Sequence, residues 1–140
     1  MAELAHKLRL EVVTPAGQAL RTDADAVDLT SVLGEFEVLP GHLPVLVALK
    51  CGPFRWRQGP KVHRAALGEG FAEARPDAVI VLADKFEPTD KIDVPDAQTD
   101  LAKAEDGIKA WQHVQQGGEF ATLARERDWA QARIDVMNER

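Results

Sequence analysis

The residues of this chain that could do acid–base chemistry are two glutamates and a histidine not far from them, Glu69, Glu73 and His63. A catalytic acid and base must be held within hydrogen-bond reach of a substrate. These residues lie where apolar and polar residues alternate, and charged side chains that alternate along a strand face solvent. We therefore predict that the three residues do not form a catalytic site.

The sequence gives no better support for a catalytic nucleophile or for a metal site. The single cysteine, Cys51, ends an apolar run before Gly52-Pro53, which is typical of a small hydrophobic residue at a strand end in a reducing compartment. The histidines lack metal-ligand spacing; they are His6, His42, His63 and His113. The glycine-rich run at 68–70 lacks the lysine of a phosphate-binding loop. We predict no metal, no cofactor and no catalytic residue.

The stretch from residue 34 to residue 46 is the most informative part of the sequence. Two carboxylates, Glu35 and Glu37, flank Phe36 just before the turn signal Pro40-Gly41 and His42. An alternating apolar run then predicts a strand, with Leu43, Val45, Val47 and Leu49 on one face. A rigid charged loop at the end of a sheet suits contact with another protein.

Composition limits the possible partners. The 140-residue chain has a formal net charge of -6, which argues against general nucleic-acid binding. Four cations could still form a local basic patch, although a solvated sheet face is the expected alternative; they are Arg55, Arg57, Lys61 and Arg64. The N-terminus lacks the features of a signal peptide, and no apolar run reaches the ~18 residues of a spanning helix. We expect membrane association only through partner proteins.

Short runs of period two between Leu8 and Ala83 predict β-strands. Leu8, Leu10 and Val12 alternate with polar residues, and Trp56 alternates with arginines in a manner that predicts a core position. The apolar run 79–82 predicts a strand covered on both faces. Because turn signals recur between these runs, we expect an N-terminal antiparallel β-sandwich or flattened barrel.

The pattern changes after Asp84. Residues 85–91 are polar and contain a proline, which predicts a linker. A helical stripe follows, capped by Asp93, at Val94, Ala97, Leu101, Ala104, Ile108 and Trp111. Gly117-Gly118 predicts a break, and a second stripe lies at Phe120, Leu123, Arg127, Ala130, Ile134 and Met137. We predict a sandwich over 1–87 and an antiparallel two-helix hairpin over 88–140, too alanine-rich to be stable without support.

Four segments together resemble one known family. They are Leu10-Glu11-Val12-Val13-Thr14-Pro15, the loop from Gly34 to Leu46, Leu67-Gly68-Glu69-Gly70-Phe71-Ala72-Glu73, and Val81-Leu82-Ala83-Asp84. In order and spacing they resemble the epsilon subunit of the F-type ATP synthase, which is called delta in mitochondria. The resemblance covers essentially the whole chain, because that family also has a β-sandwich followed by two helices.

The resemblance implies a noncatalytic subunit of the central stalk that joins the gamma subunit to the ring of c subunits. It implies an interface with gamma and the c ring at Glu35, Phe36, Glu37, Gly41 and His42. Glu37 stands where the family commonly has glycine. It also implies a peripheral location on the cytoplasmic face of the bacterial inner membrane. The alternative is a free-standing β-sandwich adaptor with a helical interaction hairpin.

The hairpin is similar to the family's regulatory element, which folds against the sandwich or extends toward the alpha and beta subunits and resists ATP hydrolysis. The resemblance implies that Arg125, Arg127 and Arg133 contact an acidic segment of beta; the alternative is a solvated, mixed-charge helix face. Some relatives bind ATP here through an arginine at the start of the first helix and two arginines one turn apart. Asp96 takes the place of the first arginine, and the second helix keeps Arg133 but has Trp129 one turn before it. We therefore predict no ATP site.

Overall fold

A computed structural model describes residues 7–111 and 118–139 of the chain. Its strands are β1 Leu8–Thr14, β2 Gly17–Ala24, β3 Ala26–Ser31, β4 Gly34–Val38, β5 Val45–Leu49, β6 Gly52–Gln58, β7 Lys61–Leu67, β8 Gly70–Ala74, β9 Ala78–Ala83 and β10 Phe86–Pro88. A 3-10 turn, Thr89–Lys91, leads to helices α1, Val94–Ala110, and α2, Gly118–Asn138. The helix break was predicted at Gly117-Gly118, and Gly117 lies outside the described residues. His6 and His113 lie outside them too.

The strands form one sheet that folds over into a sandwich. Their order is β10-β7-β6-β3-β5-β8-β9-β1-β2, and β4 pairs with β3 outside this path. Every pairing is antiparallel except that of β1 with β9, which is parallel. The predicted sandwich is confirmed, with this one parallel pair as a feature that short alternating strands did not reveal.

The core lies between the two layers and is formed by the predicted alternating residues. Leu8, Leu10 and Val12 of β1 are fully buried, as are Val27 of β3 and Phe54 of β6. Trp56 is also buried, and its ring lies 5.4 Å from that of Phe54. The core position predicted for Trp56 is therefore confirmed.

Two apolar runs are less covered than predicted. In β9, Val79 and Val81 are buried but Leu82 is 54% exposed, so the strand is not covered on both faces. Strand β5 begins at Val45 rather than at Leu43, and Leu43 is 80% exposed. Both expectations were wrong because an apolar run does not show which of its faces the rest of the chain covers.

The segment predicted as a linker is partly a strand. Phe86–Pro88 forms β10 and pairs with β7, with Phe86 opposite Leu67. The Phe86 ring packs against the core, 6.2 Å from the ring of Phe54. The entry to the hairpin is thus fixed to the sheet by main-chain and side-chain contacts.

Helix α1 follows the predicted stripe. Asp93 caps it, accepting a hydrogen bond from the backbone N–H of Asp96 at 3.1 Å. Ala97 and Ala104 are buried, and the other stripe positions are half-buried. The two helices approach closely, since a Cβ on Gly107 would lie 2.8 Å from the side chain of Leu123. Neither helix, within the described residues, is long and apolar enough to span a membrane.

Helix α2 packs against β6 and β7 as well as against α1. Its contact with the sheet is a small cluster of Ala66, Ile92, Ala132 and Val136, edged by Cys51, Val94 and Trp129. The sequence stripe missed Ala132 and Val136 and included Met137, which is exposed. The predicted need for support is met here, since the sandwich provides the surface on which the hairpin rests.

Replacing Gly70 with alanine tests the contact between β8 and β9. We expect a loss of about 1 to 3 kcal/mol in the free energy of unfolding, as in overpacked cores. The physical reason is that a Cβ would lie 1.8 Å from the Leu82 carbonyl oxygen. Urea unfolding followed by tryptophan fluorescence measures it. The exposed neighbour Glu69→Ala is the control, expected within about 0.5 kcal/mol of the parent chain. Equal stabilities for both variants would contradict the packing described.

Candidate functional site

Strand β4, the turn after it and the first two residues of β5 form what we call the docking edge, residues 34–46. β4 is held by β3, in a register that sets Phe36 opposite Leu29 and Val38 opposite Val27. Val38 is fully buried and Phe36 packs partly against the core. Alternate residues point outward, so the side chains of Glu35 and Glu37 are exposed.

The turn of the docking edge is tied to another part of the sandwich. The Gly41 N–H donates to the carbonyl of Pro76, in the β8–β9 turn, at 2.7 Å. Gly41 has a φ of +87°, a backbone conformation that favours glycine. His42 donates from Nδ1 to the Leu43 carbonyl at 2.6 Å, and its ring lies edge-on to Phe36 with the centroids 5.4 Å apart. These contacts explain how a short loop keeps one shape.

The structure therefore brings the five predicted interface residues to one end of the sandwich. Glu35, Glu37 and Gly41 are exposed, and Phe36 and His42 are half-buried against each other. Leu39, Leu43 and Leu46 of the same edge are exposed apolar residues. The edge thus combines negative charge with uncovered apolar surface. Its role as an interface stays a prediction.

A row of charged side chains runs across β4, β3, β6 and β7. The register pairs Glu37 with Asp28, Asp28 with Arg55, and Arg55 with Arg64. Glu139, just past α2, lies over the two arginines. Its Oε2 atom is 3.9 Å from a guanidinium nitrogen of Arg55 and 3.7 Å from one of Arg64. A groove of 510 Å³ follows this row. Arg55 and Arg64 are therefore engaged within the chain, which argues against the basic patch considered from the sequence.

The pKa of Asp28, in this row, depends on the neighbouring carboxylate of Glu37. Burial raises the pKa of Asp28, and so do a hydrogen bond and repulsion from Glu37, whereas Arg55 and Arg57 lower it. The register sets Glu37 directly opposite Asp28, so the two residues form a pair of like charges. The sequence identified Glu37 as unusual, but it could not show that Asp28 lies opposite.

Sequence reasoning missed a second exposed surface, the apolar face, made by outward residues of β5, β8 and β9. The register aligns Ala48, Phe71 and Leu82 across the three strands, and in the next row Leu46 and Ile80 lie on either side of Glu73, which pairs with Arg75. Phe71 and Leu82 are each 54% exposed and Leu46 is 70% exposed. Leu46 belongs to the docking edge as well, so the two surfaces are continuous. The available signal was a large apolar residue at the outward position of each strand.

The three helical arginines differ in their surroundings. Arg125 is exposed, and Arg127 donates to Asp128, its neighbour in the same helix, at 3.1 Å. Arg133 is only 6% exposed and is held by carboxylates of its own chain. In this closed arrangement Arg133 is not available to another subunit, so its predicted contact with beta requires the hairpin to leave the sheet.

The groups considered for acid–base chemistry are not brought together. His63, on β7, stacks on Trp56 and bonds Gln58 at 2.9 Å. Glu73, on β8, accepts from Arg75 at 2.7 Å, which lowers the pKa of its carboxyl. β7 and β8 are not neighbours in the sheet. Burial, together with nearby carboxylates, raises the pKa of the Cys51 thiol to about 12, which makes it a poor nucleophile.

The arrangement defines a class of protein, a β-sandwich followed by a C-terminal helical hairpin that packs on it. In the described parts of the chain, no cluster of His, Cys, Asp or Glu could hold a metal ion. Residues 7–89 match the family described as ATP synthase, Delta/Epsilon chain, beta-sandwich domain. The chain belongs to this family of ATP synthase subunits, which is noncatalytic, and the prediction of an epsilon-type subunit over a free-standing adaptor is confirmed.

Relatives of known name agree with this assignment. The ATP synthase epsilon chain 2 of Syntrophotalea carbinolica is 42% identical over 102 residues, which is 73% of this chain and 74% of that protein. The ATP synthase epsilon chain of Geobacter sp. strain M21 is 41% identical over 107 residues, 76% of this chain and 78% of that protein. Each matched region is longer than the 87 residues predicted for the sandwich.

Solved structures share the fold. A chain in the cryo-EM structure of the Euglena gracilis mitochondrial ATP synthase, OSCP/F1/c-ring, has a TM-score of 0.81 and 15% identity, covering 99% of this chain and 85% of its own. A chain in the Tetrahymena thermophila mitochondrial ATP synthase, central stalk/c-ring, has a TM-score of 0.60 and 11% identity, covering 97% and 100%. At these identities the likeness concerns the fold alone.

The Asp28–Glu37 pair predicts a pH dependence of stability. Because the native pKa of Asp28 is raised, the folded chain holds a proton that the unfolded chain has lost. The free energy of unfolding should fall as pH rises from the ordinary Asp pKa through the raised native value. Glu37→Gln should reduce this fall and stabilise the chain near neutral pH. Urea unfolding between about pH 4 and 7 measures it.

The matched control is Glu35→Gln, an exposed carboxylate on the same strand that lies opposite Thr30 instead of an acid. It removes the same charge and should leave the slope of stability against pH unchanged. If Glu37→Gln and Glu35→Gln changed the slope equally, the cause would be net charge instead of the pair.

Proposed function

We propose that this chain is the epsilon subunit of an F-type ATP synthase, a noncatalytic part of the central stalk that couples the gamma subunit to the c ring. Family membership supports this role. The observation that carries it is the continuity, through Leu46, of an acidic docking edge and an apolar sheet face. Two adjoining surfaces of different chemistry suit a body held between two partners.

The docking edge is the surface that we assign to the c ring. Glu35 and Glu37 are exposed and can pair with basic groups on a ring loop, although each exposed pair contributes only about 0 to 1 kcal/mol. The larger contribution comes from apolar area, which Leu39 and Leu43 offer beside the charges. His42 shapes the turn through its contacts with Phe36 and Leu43.

The apolar face is the surface that we assign to gamma. Phe71 and Leu82 lie side by side at its centre, where a buried aromatic residue contributes most to binding. Outward Phe and Leu side chains are costly to leave in water, which favours a partner that stays bound. The opposite layer, where α2 covers β6 and β7, is occupied by the chain's own helix.

The hairpin is the element that we assign to regulation, as the unit 88–140 beside the docking unit 1–87. It is closed on the sandwich in this structure, with Arg133 buried. On extension along gamma, Arg125, Arg127 and Arg133 would meet acidic groups of beta and resist rotation in the direction of hydrolysis. The subunit is then peripheral to the bacterial inner membrane, on its cytoplasmic side, and held there by the complex.

The absence of an ATP site in the hairpin stays a prediction. Asp96 lies 3.8 Å from Arg133, and Asp100 and Glu87 also surround this arginine. Carboxylates that already neutralise the cation would repel a phosphate group.

Charge placed on the apolar face should weaken gamma binding. We expect Phe71→Glu to lower the affinity for isolated gamma at least roughly tenfold, because a buried aromatic contact is lost and a carboxylate is desolvated. Val62→Glu is the matched control, an exposed apolar residue on β7, away from this face. Calorimetric titration measures both. Unchanged binding by Phe71→Glu would rule out the apolar face as the gamma surface.

Removal of the hairpin tests the regulatory assignment. A chain ending at Thr89 keeps β10, which pairs with β7, and loses both helices. We expect the assembled catalytic head to hydrolyse ATP faster with this shortened chain than with the full chain, because the extended hairpin resists rotation. Equal steady-state rates would reject the regulatory role and leave the coupling role standing.

A further inference from the structure

Arg133 is a buried permanent charge shared by three parts of the fold. Its Nε lies 2.9 Å from a carboxylate oxygen of Glu87 in β10. Its terminal nitrogens lie 3.3 Å from Asp100 and 3.8 Å from Asp96, both in α1. Arg133 itself belongs to α2. One guanidinium therefore joins the two helices of the hairpin to each other and to the last strand of the sandwich.

Two other contacts join the hairpin to the sandwich. The Glu139 carboxylate lies beside Arg55 and Arg64, and the cluster beneath α2 buries two alanines, Ala66 and Ala132, together with Ile92 and Val136. Alanine methyl groups remove little surface from water compared with larger aliphatic side chains. The closed position of α2 therefore depends strongly on its charged contacts.

The charges around Arg133 are unbalanced. Three carboxylates face one cation, so its removal leaves Glu87, Asp96 and Asp100 close together with no positive partner. The carboxylates themselves are partly exposed, 29% for Glu87, 64% for Asp96 and 48% for Asp100, so water screens part of their mutual repulsion. Loss of Arg133 nevertheless removes the one cation that links β10, α1 and α2.

We propose that Arg133 is an ionic latch that holds the hairpin closed without any bound ligand, through Glu87 of the sandwich and Asp96 and Asp100 of α1. Loss of the latch releases the hairpin from β6 and β7 and leaves the sandwich folded. The sandwich keeps its own core, which is separate from the cluster beneath α2. The latch concerns the isolated chain and does not depend on the proposed role in the ATP synthase.

The single cysteine of the chain provides a native probe of closure. Cys51 lies at the edge of the cluster beneath α2 and lines a small cavity together with Trp129. In the closed form, burial keeps its thiol protonated, which suppresses alkylation. Release of the hairpin exposes the thiol to solvent, so the rate of alkylation reports the open fraction.

The experiment measures the alkylation rate of Cys51 by iodoacetamide in the full chain at fixed pH. We expect Arg133→Ala to raise the rate about tenfold or more, because the closed form loses a buried ionic partner. Arg133→Lys keeps the positive charge but lacks the planar guanidinium group that can bond several carboxylates at once. It should therefore raise the alkylation rate less than Arg133→Ala does. The double variant Asp96→Asn with Asp100→Asn should also raise the rate, since Arg133 then keeps only Glu87.

Arg127→Ala is the matched control, because it removes one arginine of the same helix whose described ion pair is with its neighbour Asp128. Its rate should equal that of the parent chain. Hydrogen exchange of β1 and β9 reports whether the sandwich stays folded. The proposal is overturned if Arg133→Ala leaves the rate unchanged, if Arg127→Ala raises it equally, or if the strands of Arg133→Ala lose protection along with the hairpin.

Discussion

An extended apolar surface on the outside of a sandwich is costly to leave in water, so it is commonly covered by the same chain or by another molecule. In this protein the outward side of β6 and β7 is covered by α2, over Ala66 and the small residues of the helix. The outward side of β5, β8 and β9 is left uncovered, with Phe71 and Leu82 exposed on it. Within the described residues, a helix of the same chain thus removes one of these two surfaces from water and leaves the other exposed. The docking edge meets the exposed surface at Leu46, so its charges lie beside uncovered apolar side chains.

The sequence predicted best those features that are set by residue type and spacing within one short segment. The burial of Leu8, Leu10 and Val12 and the stripe of α1 with its Asp93 cap followed from periodicity and capping chemistry alone. Periodicity was least informative where coverage comes from distant segments. It could not show that Leu82 is exposed or that Phe86 belongs to a strand, because both depend on which elements pack against them. Ala132 was missed because an alanine carries almost no hydrophobic signal, although its small size is what lets α2 approach the sheet.

The candidate site likewise has one part that the sequence could predict and another part that it could not. That the residues of the docking edge lie near one another could be predicted, because a turn and its flanking strand are local in sequence. Charged partners could not, because they are set by register and by the return of the last helix. Asp28 opposite Glu37 and Arg133 among three carboxylates are contacts between residues far apart in the chain. For Arg133, helical position suggested a free cation, whereas the fold makes it one of the most buried charges of the described residues.

The hydrogen bond from Gly41 to Pro76 has a mechanical consequence. Strand β4 has a single neighbour, β3, and a strand held along one side detaches by breaking its hydrogen bonds one after another. Because the turn beyond β4 is fastened to the β8–β9 turn, a sideways pull on the edge is resisted by bonds in two separate regions of the sheet at once. Bonds that must break together withstand more force than bonds that break in sequence. The Gly41–Pro76 hydrogen bond therefore raises the force that is needed to detach β4 from the sheet.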